Sequence, residues 1–242
     1  MKKQNIVTFK VFGRYALFTD PLTKIGGEKY SYQIATYEAL KGVLSSIYWK
    51  PTIVWFIDKV RVMKAIRSQT RSAKPVKYGG TGHDLSIYTY LNDVEYQVQA
   101  RFDWNYHRED MAHDRNENKH YFVAKRMIER GGRRDIFLGT RECQAYVEPC
   151  EFGEGEGFYD DYGEFPLGMM FHGFDYPDEL GKDELHARFW HPKMVNGVVE
   201  FIRPDECDPN LTKLVREMKP TPPDSIGLQE EGLLEGYQEG AL

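Results

Sequence analysis

The stretch VEYQVQARFDW, residues 94–104, decides the fold. Its apolar side chains occupy every second position without a break, and polar side chains fill most positions between them. Strict alternation is typical of a half-buried β-strand, whereas an amphipathic helix has a period of about 3.6 residues. The stretch therefore predicts a strand with one face against a hydrophobic core. The alternating residues are Val94, Tyr96, Val98, Ala100, Phe102 and Trp104.

The segments around this strand alternate between strand and helix patterns. Thr36 is a suitable N-cap for a helix that Pro51 ends, and Gly131 with Gly132 supplies the stop of a second helix. The stretch 85–104 fits either a hairpin or one long bent strand. The order β-α-β-β-α-β predicts an α+β fold of the ferredoxin-like kind, which the RNA-recognition motif shares. The other predicted elements are strands within 5–13, 52–63 and 133–149 and helices over 36–49 and about 119–130.

The chain changes character after Cys150. Residues 151–165 are acidic and glycine-rich, and strands are predicted within 166–176, 184–195 and 198–204. Asn196-Gly197 is a strong signal for a type I′ hairpin turn. We expect a first domain over 1–150, a small antiparallel β-sheet over 151–218, and an acidic, disordered tail over 219–242.

Composition limits the function classes. No segment of the 242 residues approaches the apolar run of about 18 residues that a membrane span needs. The sequence has three cysteines, and no two of them form a CxxC pair, which argues against a disulfide framework and against a zinc site. They are Cys143, Cys150 and Cys207. We expect a cytoplasmic protein without a membrane contact or a bound metal.

The net charge of −5 conceals an asymmetry along the chain. Residues 1–150 hold 25 Lys and Arg against 16 Asp and Glu, a balance of +9, whereas residues 151–242 hold 7 against 21, a balance of −14. A basic first part followed by an acidic remainder suggests a polyanionic partner for the first part.

The densest basic segment lies between residues 59 and 83, which contain no acidic residue. A solvated loop would explain it as well as a nucleic-acid contact does. Tyr78, Tyr88 and Tyr90 favour nucleic acid because aromatic rings offer stacking surfaces beside phosphate-binding cations. The predicted fold and the lack of a groove-reading helix motif favour RNA over duplex DNA. The cations are Lys59, Arg61, Lys64, Arg67, Arg71, Lys74 and Lys77.

Two further groups could serve RNA chemistry. Arg133, Arg134 and Arg141 form a second basic cluster, for which solvated arginines after a helix stop are an equal alternative. Lys119 and His120 lie where the second helix is expected to start, an end that disfavours a cation and can seat an anion. A core histidine beside a solvated lysine is the simpler explanation of the pair. Alternatively, the two residue types suit metal-free RNA cleavage, with histidine moving a proton and lysine stabilising the phosphorane.

Five stretches of the chain resemble a known family. They are YALFTDPLTKIGGEK (15–29), SIYWKPTIVW (46–55), DRNENKHY (114–121), GGRRDIFLGTRECQAYVEPCEFG (131–153) and FHGFDYPDE (171–179). Over roughly residues 4–220 the sequence is similar to the type I-C CRISPR-associated pre-crRNA endoribonucleases of the repeat-associated mysterious protein superfamily.

The resemblance implies a ferredoxin-like domain with a basic β-hairpin insertion, about residues 59–92, and a small C-terminal sheet. It implies metal-independent cleavage of CRISPR repeat RNA to a 2′,3′-cyclic phosphate, and retention of the crRNA 5′ handle within the type I-C surveillance complex. It implies Tyr48, Lys119 and His120 as catalytic residues, with their acid and base roles open, and it adds Arg115 in DRNENKHY to the RNA-binding cations. A non-catalytic subunit that binds the 5′ handle is the alternative function, and contact with double-stranded DNA is left open.

Overall fold

The alternating stretch forms the second half of the longest strand in a computed structural model, which describes residues 5–21, 23 and 28–220. The strand starts at Ser86, so the long-strand alternative for residues 85–104 is the one observed. The strands are β1 (Ile6–Ala16), β2 (Lys29–Tyr30), β3 (Ile53–Val62), β4 (Ser68–Ala73), β5 (Ser86–Trp104), β6 (Ile136–Phe137), β7 (Gln144–Pro149), β8 (Glu164–Pro166), β9 (Met170–Asp175), β10 (Glu184–Trp190), β11 (Lys193–Val195), β12 (Val198–Glu200) and β13 (Thr212–Glu217). The helices are α1 (Tyr37–Ile47), α2 (Glu117–Glu129) and the short α3 (Pro177–Leu180).

The main sheet is built around β5. Its strands follow the order β6-β7-β1-β5-β3-β12-β11-β8, and β2 and β4 also pair with β5. Every pairing except that of β2 with β5 is antiparallel. The molecule is thus a mixed α and β structure with a largely antiparallel sheet and few helices, in agreement with the predicted α+β class.

Helices α1 and α2 cover one face of this sheet, next to β3 and to β1 with β7. The inward side chains of β1 and β5 are the alternating apolar ones, for example Phe9, Val98 and Phe102, all buried. Thr36 caps α1 as predicted, since its side chain accepts a hydrogen bond from the Ala39 amide. In α2 the cap is Asn116, whose side chain accepts from the Lys119 amide, so this helix starts two residues before the predicted position.

The basic segment forms an arm that projects from the sheet. Strand β4 pairs with the first six residues of β5, and a bridge between Val76 and His83 narrows the turn that joins them. We call Arg67, β4, the connecting residues 74–85 and residues 86–91 of β5 the basic arm.

The C-terminal strands divide between two sheets. A three-stranded antiparallel sheet has the order β13-β10-β9. The prediction of one strand over 184–195 is wrong, because the chain leaves β10 at Trp190, passes His191 and Pro192, and begins β11. The β11–β12 hairpin extends the main sheet beside β3. Asn196 and Gly197 have φ values of 46° and 77°, which confirms the type I′ turn.

The predicted tail, 219–242, falls outside the described residues from residue 221 onward. Within the described ranges, no helix combines the length and the apolar character that a membrane crossing requires.

Candidate active site

The end of α1 and the first turn of α2 bring Tyr48 and His120 together across 72 residues of sequence. The Tyr48 hydroxyl and Nδ1 of His120 are 2.8 Å apart. The backbone of Tyr48 is fixed on both sides, since its N–H donates to the Leu44 carbonyl and its carbonyl accepts from Nε1 of Trp55, each at 2.8 Å. The contact therefore joins two anchored elements.

The partners of His120 determine its tautomer. Its Nε2 lies 2.8 Å from the backbone carbonyl of Asp114, and a carbonyl can only accept a hydrogen bond. Nε2 must therefore carry the hydrogen, which leaves Nδ1 of the neutral ring as an acceptor for the Tyr48 hydroxyl. The ring has no exposed surface and is enclosed by Trp104 and Phe102, whose centroids lie 5.6 and 6.2 Å away.

Lys119 is the exposed member of the group. Its ammonium forms an ion pair with Oδ1 of Asp114, and Thr52 donates to Oδ2 of the same carboxylate at 2.8 Å. Burial by itself would raise the pKa of Asp114. The hydrogen bonds from Lys119 and Thr52, the charge of Lys119 and the attraction of the His120 ring when it is protonated outweigh burial, so this pKa lies below its ordinary value. Asp114 is therefore an anion that holds Lys119 beside His120.

Tyr48 is almost fully buried, with 4% of its surface exposed. Burial and, to a smaller extent, the Asp114 charge raise the pKa of its hydroxyl to about 12, against the partly opposing charge of Arg133. The phenol is thus neutral near pH 7 and donates a hydrogen bond to Nδ1 of His120. The pair can relay a proton: the Tyr48 oxygen can accept a hydrogen bond from a substrate hydroxyl while its own proton passes to Nδ1.

The cations of the basic arm differ in how they are engaged. Arg67, Lys74 and Lys77 are exposed. Arg71 lies 4.2 Å from the Tyr15 ring centre and donates to the Tyr15 hydroxyl at 2.5 Å. The arm thus presents three exposed cations and one that is held against an aromatic ring.

Three cations at the base of the arm already have partners. Lys64 pairs with Asp93 at 2.7 Å, and Lys59 lies 4.5 Å from the Phe152 ring centre. Arg61 is only 6% exposed and pairs with Asp160 at 2.7 Å. The buried position of Arg61 does not fit the predicted RNA contact, because its guanidinium instead connects β3 to the segment that follows β7.

The second arginine cluster is exposed, but its backbone is engaged. The amides of Arg133 and Arg134 both donate to the Ser46 carbonyl, at 3.1 and 3.0 Å, so they are not free to bind phosphate as the neighbouring glycines suggested. Arg141 is exposed as well. Arg115 is half-buried, donates to the Asn105 carbonyl at 3.1 Å and stacks 5.2 Å from the Tyr106 ring centre.

Asp114 and Thr52 are site residues that the sequence did not reveal. Asp114 precedes the N-cap of α2 and Thr52 follows Pro51, and neither position has a periodicity or a spacing that predicts a role. No group of three or more His, Cys, Asp or Glu side chains arranged to hold a metal ion occurs among the described residues.

A family model with the description "CRISPR-associated protein (Cas_Cas5)" matches residues 6–202, most of the chain. The chain belongs to this Cas5 family. Two relatives of the family carry the name "CRISPR pre-crRNA endoribonuclease Cas5d". The one from Mannheimia succiniciproducens is 27% identical over 81% of this chain and 94% of its own length. The one from Thermus thermophilus is 28% identical over 73% of this chain and 76% of its own length.

Solved structures agree with the Cas5 assignment. A crystal structure described as a CRISPR-associated protein is 34% identical, covers 86% of this chain and 97% of its own, and has a TM-score of 0.70. A functionally uncharacterized protein from Streptococcus mutans is 35% identical over the same shares, with a TM-score of 0.68.

Proposed function

We propose that the protein is a metal-independent endoribonuclease that cleaves pre-crRNA within the CRISPR repeat. The observation that carries the proposal is the 2.8 Å contact between Tyr48 and His120 with Lys119 next to it, in a chain whose relatives are named pre-crRNA endoribonucleases. Such a group can supply a proton acceptor and a positive charge, which are two requirements of attack by a ribose 2′-hydroxyl on its own phosphate.

In the proposed reaction the 2′-hydroxyl gives its proton to the Tyr48 oxygen as the Tyr48 proton moves to Nδ1 of His120, and the 2′-oxygen bonds to the phosphorus as the bond to the 5′-oxygen breaks. The imidazolium is stabilised by the Asp114 carbonyl and by the Asp114 carboxylate, which lies 3.5 Å from Nε2. The Lys119 ammonium leaves Asp114 for the phosphorane oxygens and gives a proton to the departing 5′-oxygen. The products are a 2′,3′-cyclic phosphate and a 5′-hydroxyl, and no water is consumed.

The fold that presents this site is proposed to be ferredoxin-like. The order β7-β1-β5-β3, with α1 after β1 and α2 after β5, supports this arrangement. We propose a first domain over 1–150 with the basic arm as its insertion, a β-sheet domain over 151–218 whose strands β8, β11 and β12 also continue the main sheet, and a tail over 219–242. The exposed arm residues Arg67, Lys74 and Lys77 are proposed to contact the repeat RNA, together with Arg141.

The setting of the reaction is proposed from the family relationship. The cleaved crRNA stays bound through its 5′ handle, and the protein joins other subunits of the type I-C surveillance complex in the cytoplasm. Contact with double-stranded DNA is part of this proposal only through that complex.

A second candidate function is a non-catalytic subunit that binds the 5′ handle. The burial of His120 and Tyr48 favours it, because a ring with both nitrogens engaged and no exposed surface does not contact RNA directly. Under this alternative the pair joins α1 to α2, and only Lys119 contacts RNA.

Cleavage with EDTA present distinguishes the two functions. The substrate is a transcript of the repeat from the CRISPR array nearest to the gene, and a 2′-deoxy substitution just upstream of the cut serves as the blocked substrate. We expect one cut in the transcript, none in the blocked RNA, and equal affinity for both. Lys119→Ala should lose cleavage and keep most of its affinity, whereas Lys125→Ala, an exposed lysine of the same helix, should cleave normally. Affinity without cleavage in the unmodified protein would support the binding subunit and overturn the proposal.

A further inference from the structure

The solvent-exposed face of α2 continues from Lys119 along the helix. Residues three, seven and eleven positions after Lys119 fall within about 80° of arc on a helix of 3.6 residues per turn. They are Phe122, Arg126 and Arg130, and all three are exposed. At a rise of about 1.5 Å per residue, the row extends roughly 16 Å from Lys119. We call Phe122, Arg126, Arg130 and the following Arg133 and Arg134 the α2 track.

The arginines of the α2 track are not engaged in salt bridges. Among the described residues none of them forms a salt bridge, although nearby lysines and arginines such as Lys119 and Arg108 do. Glu129 and Asp135 are exposed beside the track and offset part of its charge, although neither forms a salt bridge within the described ranges. The remaining positive charge of the four arginines attracts an anionic ligand.

Phe122 stands in the middle of this charge with 59% of its surface exposed. Its only described ring neighbour is Tyr121, 5.4 Å away and edge-on, so one face of the ring is open. An exposed aromatic ring adds nothing to the core. Lys119 lies three residues before Phe122 and Arg126 four residues after it. An aromatic ring between two cations is typical of surfaces that bind single-stranded nucleic acid, where bases stack on aromatic side chains and cations bind the phosphates.

The track meets the candidate active site at both ends. The track starts at Lys119. Its other end, at Arg133, is close enough to Tyr48 for the Arg133 charge to oppose the effect of burial on the Tyr48 pKa. The Ser46 carbonyl at the end of α1 holds the Arg133 and Arg134 amides in place. An RNA strand placed with its phosphate at Lys119 therefore has a continuous path along α2.

We infer that the α2 track binds the single-stranded nucleotides adjoining the scissile phosphate, with one base stacked on Phe122 and phosphates on Arg126 and Arg130. The inference rests on the proposed function in taking RNA as the ligand and Lys119 as the position of the scissile phosphate. Single-stranded RNA is favoured over duplex because a base within a duplex is stacked on its neighbours on both faces and has no face free for Phe122.

The test measures binding separately from cleavage. Fluorescence anisotropy with the 2′-deoxy-blocked repeat RNA is recorded over a range of salt concentrations for Phe122→Ala, for the double variant Arg126→Gln with Arg130→Gln, and for the control Lys125→Gln. We expect the salt slope of the double variant to fall by about 1.4, since single strands contribute about 0.7 per phosphate contact. Phe122→Ala should weaken binding roughly 5- to 100-fold with an unchanged slope, and Lys125→Gln should match the unmodified protein.

Abasic nucleotides then locate the stacked base. Replacing one base at a time near the cut should reveal one position where the unmodified protein loses affinity and Phe122→Ala loses none further. Wild-type affinity and slope in both track variants would overturn the inference and indicate that the track serves another partner, such as an acidic protein surface. Because no cleavage is measured, a protein that binds in this way without cutting would refute the proposed function alone, and one that cuts without using the track would refute the inference alone.

Discussion

Replacing Tyr48 by phenylalanine removes one atom from the candidate active site and tests the proton relay directly. Among the described residues, the hydroxyl is the only hydrogen-bond partner of Nδ1 of His120. The His120 ring is fully buried, so no water takes the place of the lost donor. Leaving a buried acceptor unpaired costs about 1–3 kcal/mol of folding free energy. For a chain of this length that corresponds to a Tm roughly 2–12 °C lower.

The effect on cleavage should be larger than the effect on stability. Without the phenol, the 2′-hydroxyl has no acceptor connected to His120, and losing a positioned acid or base lowers a rate by about 10²- to 10⁴-fold. Affinity for the 2′-deoxy-blocked RNA should not change, because Tyr48 is only 4% exposed. Single-turnover cleavage with protein in excess measures the chemical step, and anisotropy measures the affinity.

Tyr32→Phe is the matched control for this substitution. Tyr32 is also buried, its hydroxyl accepts a hydrogen bond from the Phe171 amide at 3.2 Å, and burial is the main cause that raises its pKa to about 12 as well. The control variant should lose some stability and keep the wild-type cleavage rate. If Tyr48→Phe has a lowered Tm but cleaves at the wild-type rate, the relay is wrong. If cleavage and affinity fall by the same factor, Tyr48 contributes only to binding.

Two further predictions concern Asp114 and a histidine remote from the site. Asp114→Asn keeps the Thr52 contact but removes the ion pair that positions Lys119, so single-turnover cleavage should fall by up to about 100-fold. The loss of this half-exposed ion pair should lower the free energy of unfolding in urea by no more than about 1 kcal/mol. A wild-type cleavage rate would show that the ion pair does not position Lys119. Burial first, and then the Arg188 charge, lowers the pKa of His172 to about 4, against 6.5 in the unfolded chain. The stabilisation from keeping His172 neutral is complete above pH 6.5 and is lost as the pH falls. The loss amounts to about 3 kcal/mol of unfolding free energy by pH 4. Urea unfolding of His172→Gln should therefore depend less on pH in this window, and an unchanged pH dependence would contradict the assignment.

Local signals in the sequence predicted much of the fold. The alternation from Val94 to Trp104, the Thr36 cap and the Asn196-Gly197 turn each depend on neighbouring residues alone, and each appears as predicted. The start of α2 was misplaced by two residues because two asparagines, Asn116 and Asn118, precede Lys119, and the sequence does not show which one caps the helix.

Long-range contacts account for what the sequence did not predict. Arg61 is part of a basic run, yet Asp160, 99 residues later, folds over it and removes it from the surface. The same limit applies to the active site. Lys119 and His120 stood out by their helix position, but the carboxylate of Asp114 is held by Thr52, 62 residues earlier, and meets Lys119 only through the turn that precedes α2, which no periodicity in the sequence indicates.

The 19 residues of β5 set a distance as well as a fold. At about 3.3 Å per residue the strand spans at most roughly 60 Å, and about 40 Å separate Leu91, where the basic arm ends, from Trp104 beside His120. The paired registers with β1 and β3 leave no room for this distance to vary, because a slip of one residue would reverse every side chain. Under the proposed function, an RNA that contacts both the arm and the candidate catalytic residues must therefore reach across that span. We expect an RNA shorter than this span to keep only one of the two contacts, whatever its sequence or base pairing.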